Sequence, residues 1–188
     1  MQKIAFIGAG KMAQAIILGL LEHDPSLKNS LLATTRSEES SRFFTELTGI
    51  LSTQDNKQAC READIIVYAA KPQMIEGIAK DIQAFTKGKL VISIAAGVKI
   101  ATFCELFNTT KVIRVMPNTP LTVGLGASAY SQTPDVTAEE EEACRLLFES
   151  AGILKKVQEK DIDAVTALSG SGPAYIFELI RCMSKTAV

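Results

Sequence analysis

The chain has 188 residues, of which 47% are apolar and 22% charged, and its formal net charge is −1. That length suffices for one domain with a full hydrophobic core, and the near-neutral balance speaks against a nucleic-acid binder, which is usually basic. No apolar run is long enough to cross a bilayer, and the N-terminal apolar run, short and ending in glycines, reads as a buried strand rather than a signal peptide.

Short apolar runs alternate with longer amphipathic ones along the chain. Strands are predicted at Ile4–Ile7, Leu31–Thr34, Ile65–Ala70, Leu90–Ile94 and Val112–Met116. Most are apolar on both faces, as strands of a parallel sheet covered by helices on both sides must be. Helices are predicted at Lys11–Glu22, Glu38–Leu47, Gln73–Gln83 and Lys99–Phe107. Ser37 is a good N-cap for the second of these, which stops before Gly49. The alternation predicts an α/β fold with a doubly wound, mostly parallel sheet.

The rhythm changes after Pro117. Gly124 and Gly126 lead into a short run, Ala127–Tyr130, and "TAEEEEACRLLFESAG" reads as a complete helix. Thr137 and Glu140 make a capping box, the glutamates favour the positive N-terminal end, and Gly152 is expected to close the C-terminus. The acidic run is thus a solvated helix start and not a metal site. A strand at Ile153–Val157 completes the sheet, so residues 1–160 form one domain. From Asp161 the pattern is helical: one helix runs into Ser169-Gly170-Ser171-Gly172-Pro173 and a second, apolar helix follows. Tyr175, Ile176, Phe177, Leu179, Ile180 and Met183 spread over too wide a face for an isolated terminal helix. Further chain or a partner is expected against it, and the stop at Val188 in mid-pattern reads as the truncated start of a helical domain over 161–188.

The four cysteines, Cys60, Cys104, Cys144 and Cys182, are widely spaced and form no metal-ligand pairs, so they read as buried free thiols of a reducing cytoplasm. His23, the one histidine, sits beside Asp24-Pro25 at a helix end and reads as a surface residue, which argues against a catalytic triad or a multi-histidine metal site.

The stretch "GAGKMA" is a G-x-G-x-x-A turn between a strand and a helix. Gly8 permits the tight turn, Gly10 lets a pyrophosphate approach the backbone, and Ala13 lets the helix pack closely on the strand. The helix N-terminus adds free N–H groups and a partial positive charge. An NAD site usually carries an acidic residue at the end of the second strand. Here Thr34, Thr35, Arg36 and Ser37 stand there, a guanidinium with hydroxyls that suits a 2′-phosphate. NADP(H) is therefore favoured and NAD(H) stays open; Glu38 opposes a phosphate if it points inward. The other strand ends, "AAKPQ", "SIAAGV" and "VMPNTP", are small or carry proline, which allows close contact with a flat nicotinamide ring.

These stretches, together with "VIRVMPNTP" and above all "DAVTALSGSGPAYIFELI", resemble the pyrroline-5-carboxylate reductases, in order across the whole chain. The resemblance implies a Rossmann domain followed by the start of a dimerisation domain, and NAD(P)H-dependent reduction of 1-pyrroline-5-carboxylate to proline by a cytoplasmic homodimer or higher homo-oligomer, with no nucleic-acid or membrane partner. It assigns the pyrophosphate to Ile7, Gly8, Ala9, Gly10, Lys11 and Met12, and the adenosine ribose to Thr35, Arg36 and Ser37. It gives Asn56 a cofactor contact, and makes Ala69, Ala70, Lys71 and Pro72, then Ile94, Ala95 and Ala96, cofactor-lining. Met116, Pro117 and Asn118 become the wall shared by nicotinamide and substrate. Glu159 falls near the substrate, and Ser169, Gly170, Ser171 and Gly172 lie by its carboxylate, where a turn opening a helix offers N–H donors. No dedicated acid stands out in the sequence. Two other readings remain open: a non-catalytic NADP-binding module, and another Rossmann oxidoreductase such as a β-hydroxyacid dehydrogenase or a deazaflavin-dependent NADP reductase.

Overall fold

A computed structural model describes residues 2–186; the stop at Val188 lies outside them. Eight strands form one sheet in the order β3-β2-β1-β4-β5-β6-β7-β8. They are β1 Ile4–Ile7, β2 Leu31–Thr34, β3 Ser52–Thr53, β4 Ile65–Tyr68, β5 Leu90–Ser93, β6 Val112–Met116, β7 Gly126–Gln132 and β8 Gly152–Lys156. Neighbours from β3 to β6 are parallel, β7 is antiparallel to β6, and β8 is parallel to β7. The order reverses between β1 and β4, and ligands of such sheets bind where the strand order turns around.

The helices are α1 Lys11–His23, α2 Glu38–Thr48, α3 Asn56–Glu62, α4 Ile75–Ile82, α5 Ile100–Leu106, α6 Ala138–Glu149, α7 Ile162–Val165 and α8 Gly172–Thr186. Phe6, Val67 and Ile92 face one core with Ile16, Phe44 and Phe148 of α1, α2 and α6. Ala5, Ile66 and Val91 face the other with Ala59, Ile78 and Phe103 of α3, α4 and α5. Adjacent strand residues thus feed opposite cores, which is why these strands are apolar throughout.

Several expectations are corrected. The helix expected over Gln73–Gln83 is shorter: α4 is flanked by 3-10 turns at Pro72–Met74 and Gln83–Phe85. Residues 49–62, given no element in the sequence, hold β3 and α3. The Thr137–Glu140 capping box forms as expected, but Gly152 does not close α6; Ser150 caps it and Gly152 opens β8. The glycine-rich stretch at 169–172 is not a separate turn that opens a new helix. Thr166–Gly170 is a π-helical turn, closed by Ser171 N donating to Thr166 O at 2.8 Å, that carries α7 on into α8. Among the cysteines Cys60 and Cys144 are buried, Cys104 is half-buried and Cys182 is exposed on α8. Burial raises the Cys60 thiol pKa to about 12 and raises that of Cys144 as well. His23 ends α1, exposed. No group of metal-binding side chains occurs among the described residues, and no helix there is long and apolar enough to cross a membrane.

Candidate functional site

The first turn is held from three sides. Gly8 has φ +99°, and a Cβ on it would stand 3.0 Å from Ala70 N, so only glycine fits both the conformation and the approach. Its amide donates to Thr34 Oγ1 at 3.1 Å, fixing the turn to the end of β2, and Gln14 Nε2 donates to Ala9 O at 2.9 Å. Gly10 starts α1 without a side-chain cap, and the first helical bond runs from Gln14 N to Gly10 O. The amides of Lys11, Met12 and Ala13 therefore have no partner inside the helix. No acidic residue occupies that first turn, so the positive end of the helix is uncompensated. A Cβ on Gly10 would meet nothing within 4 Å: the backbone there is open to an incoming group.

This turn lines a cleft of about 590 Å³. Ile7, Gly8, Ala9 and Gly10 form its floor, and Ala69, Ala70 and Lys71 one wall. Thr35, Arg36, Ser37 and Asn56 form the other. Tyr68 Oη donates to Lys71 O at 3.0 Å and steadies the first wall, and burial raises the phenol pKa to about 12. None of the described lining residues is acidic, while Arg36 and Lys71 are cationic. Glu38 is outside the lining and pairs with Arg42 at 2.6 Å. A dinucleotide with three phosphate groups fits such a lining: an open glycine backbone at the floor, leading into the uncompensated start of α1, and a guanidinium with hydroxyls at the rim.

Four further lining residues escaped the sequence reading: Ser40, Gln54, Met74 and Ile78. Gln54 follows a strand too short to show a pattern, and Met74 sits in what reads as helix. Arg36 Nη2 lies 3.4 Å from Met74 Sδ, so the two side chains meet across the mouth of the cleft. Ser37 Oγ caps α2, accepting from Ser40 N. Lys11, Met12, Pro72, Ile94, Ala95, Ala96 and Asn118 are not among the lining residues. Lys11 and Ala96 are exposed, Met12 packs on the core, and Ala95 is buried just past β5.

A second cluster forms past the end of β6. The Met116 methyl approaches Gly170 so closely that a Cβ there would stand 2.8 Å from it. Beside it, Asn118 Nδ2 donates to Ser169 Oγ at 3.2 Å, and Asn118 Oδ1 accepts from Ala127 N at 2.9 Å. Ser169 Oγ in turn donates to Ala127 O at 3.4 Å. Met116, Asn118, Ser169 and Gly170 are thus brought together, but both polar side chains bind the backbone of Ala127. Pro117 is buried, and Ser171 and Gly172 are half-buried where α8 begins.

Glu159 lies elsewhere. Its Oε1 accepts from Ile100 N, in the first turn of α5, at 2.7 Å and stands 3.5 Å from Arg114 Nη1. Arg114 is buried in β6 and places Nη2 2.7 Å from Asp163 Oδ1 in α7. This buried arginine is invisible in the sequence, where it is one charged letter inside an apolar strand and its partners follow 45 and 49 residues later.

A family model described as NADP oxidoreductase, coenzyme F420-dependent, matches residues 3–97. A second, described as pyrroline-5-carboxylate reductase dimerisation, matches residues 159–188. A pyrroline-5-carboxylate reductase of Vibrio alginolyticus is 41% identical over 191 residues, covering 100% of the chain and 70% of the relative. A solved structure of a pyrroline-5-carboxylate reductase from Coxiella burnetii matches 99% of this chain and 70% of its own, with TM-score 0.89 and 33% identity. That of the Plasmodium falciparum pyrroline carboxylate reductase, with NADP bound, matches 99% and 69%, with TM-score 0.87 and 31% identity.

Proposed function

The chain belongs to the pyrroline-5-carboxylate reductase family of NAD(P)-dependent oxidoreductases, and we propose that it reduces 1-pyrroline-5-carboxylate to L-proline, with NADPH preferred over NADH. The bound nicotinamide cofactor supplies the hydride, which adds to C5 of the ring while a solvent proton adds to the ring nitrogen, so that C=N becomes CH–NH. The protein's part is to hold the two rings in register, and proximity supplies much of the rate.

In this reading the turn from Ile7 to Met12 holds the pyrophosphate. Arg36, with Thr35 and Ser37, takes the 2′-phosphate, and Asn56 and the Ala69–Pro72 wall flank the adenosine side. The backbone at Ile94–Ala96 and at Met116–Asn118 faces the nicotinamide and the substrate ring, and the Ser169–Gly172 segment lies by the substrate carboxylate. Residues 1–160 are then the cofactor domain, and 161–188 begin the helical one. Tyr175, Phe177, Ile180 and Met183 expose 63%, 61%, 54% and 64% of their surface along α8, which supports a homodimer or higher homo-oligomer through these helices. The four free thiols support a reducing cytoplasm.

The observation that carries the reading is a cleft without a lining carboxylate, floored by the open Gly8–Gly10 turn and rimmed by Arg36. The test is NADPH oxidation with 1-pyrroline-5-carboxylate, with proline measured as product. NADPH binding without proline formation would replace the reductase by a non-catalytic dinucleotide-binding module.

A further inference from the structure

We propose that Glu159 is a positioning residue that ties the loop between β5 and α5 to α7, so that the cofactor-side and substrate-side backbones hold one register. The proposal rests on the reductase reading and deepens it.

One carboxylate oxygen makes both ties. Glu159 Oε1 takes the Ile100 amide at 2.7 Å, and that amide ends the loop of residues 94–99 that leaves β5. The same oxygen faces Arg114 Nη1 at 3.5 Å, and Arg114 Nη2 holds Asp163 Oδ1 at 2.7 Å. Asp163 belongs to α7, which leads through the π-helical turn into Ser169 and Gly170. The Arg114 side chain is 3% exposed, so it needs both carboxylates for its charge. α5 has no side-chain cap of its own from Lys99, and Glu159 takes over that role from 59 residues away. With Oε1 bound to the Ile100 amide and facing Arg114, Glu159 is built into the frame.

Glu159→Gln and Glu159→Ala separate the two ties, since a glutamine carbonyl still accepts from Ile100 but carries no charge for Arg114. Hydrogen exchange is read over residues 94–106 and 162–171, alongside NADPH titration and steady-state kinetics with 1-pyrroline-5-carboxylate. In Glu159→Ala, exchange rises in both segments, the NADPH Kd stays within about twofold, and kcat falls about tenfold or more with KM less affected. In Glu159→Gln, protection returns over 94–106 alone, and kcat recovers in part. A raised KM with kcat and both exchange profiles unchanged would make Glu159 a substrate ligand and overturn the proposal. If the wild-type chain forms no proline, the reductase reading fails on its own, and exchange decides: faster in both segments supports the tie, faster in neither overturns it.

Discussion

Gly152 packs on Gly126 across the β7–β8 pair so tightly that a Cβ built on Gly152 would stand within 2.5 Å of the Gly126 amide nitrogen. Its φ of +153° is also one that side chains rarely adopt. Gly152→Ala therefore has to pry the two strands apart where their register begins, at Gly126 opposite Gly152. A loss of about 3 kcal/mol is expected, read as a lower urea midpoint with unchanged slope.

Lys89 makes a different kind of closure. Its ammonium donates to Cys60 O and Ala63 O, each at 2.6 Å, and reaches Arg61 O at 3.3 Å. These are carbonyls at the end of α3, which the helix itself leaves unpaired. Lys89→Met keeps the stem and removes the donors, and should cost about 2 kcal/mol in thermal or urea unfolding.

Gly10 and Gly8 should separate binding from folding. Gly10 has open space where a Cβ would go, so Gly10→Asp leaves the fold intact and places a carboxylate against the phosphates. Two charges about 4 Å apart repel by about 4 kcal/mol near a protein surface, so NADPH affinity should fall by at least about a hundredfold. Gly8→Ala, crowded by the Ala70 backbone, should instead lower stability. Equilibrium titration and urea unfolding of both variants check the pair.

Arg36→Ala should weaken NADPH about ten- to a hundredfold, as loss of a charged hydrogen bond predicts, and leave NADH within about twofold. Parallel titrations read the difference. Equal losses would remove Arg36 from 2′-phosphate recognition.

Glu141 sets a limit on acid stability. The Tyr130 hydroxyl donates to it at 2.5 Å, Lys156 and Gln132 add bonds at 2.9 Å, and together they lower its pKa from 4.5 to about 2. A carboxyl with a depressed folded pKa stabilises the fold above its unfolded value, and that contribution is lost as pH falls from about 4.5 to 2. Glu141→Gln should flatten the wild-type decline across that window in urea unfolding at stepped pH.

How far the sequence speaks depends on whether an element's cause is local. β1, β2 and β6 appear in the structure with the expected ends because short, mostly apolar runs of four or five residues stand between turn formers. The capping box of α6 lies within four residues and is equally plain. α3 was silent because "NKQACRE" buries only Ala59 and Cys60, too few to mark a period. In the cleft, the glycine turn and Arg36 were legible from position, whereas Met74 and Gln54 enter only because distant segments fold against them. The double engagement of Glu159 could not be read from spacing, since Ile100 and Arg114 converge on it from a helix and a strand far from it in the chain.

β7 begins its pairing with β6 at Ala129, opposite Met116, while Gly126, Ala127 and Ser128 pair only with β8. Those three residues form an overhanging ledge whose inner rim would offer bare peptide groups to any passing extended segment. The side chains of Asn118 and Ser169 occupy that rim at Ala127 and act as a counterfeit neighbouring strand. These two side chains thereby guard the molecule against sticking to itself, and losing either one is expected to invite aggregation.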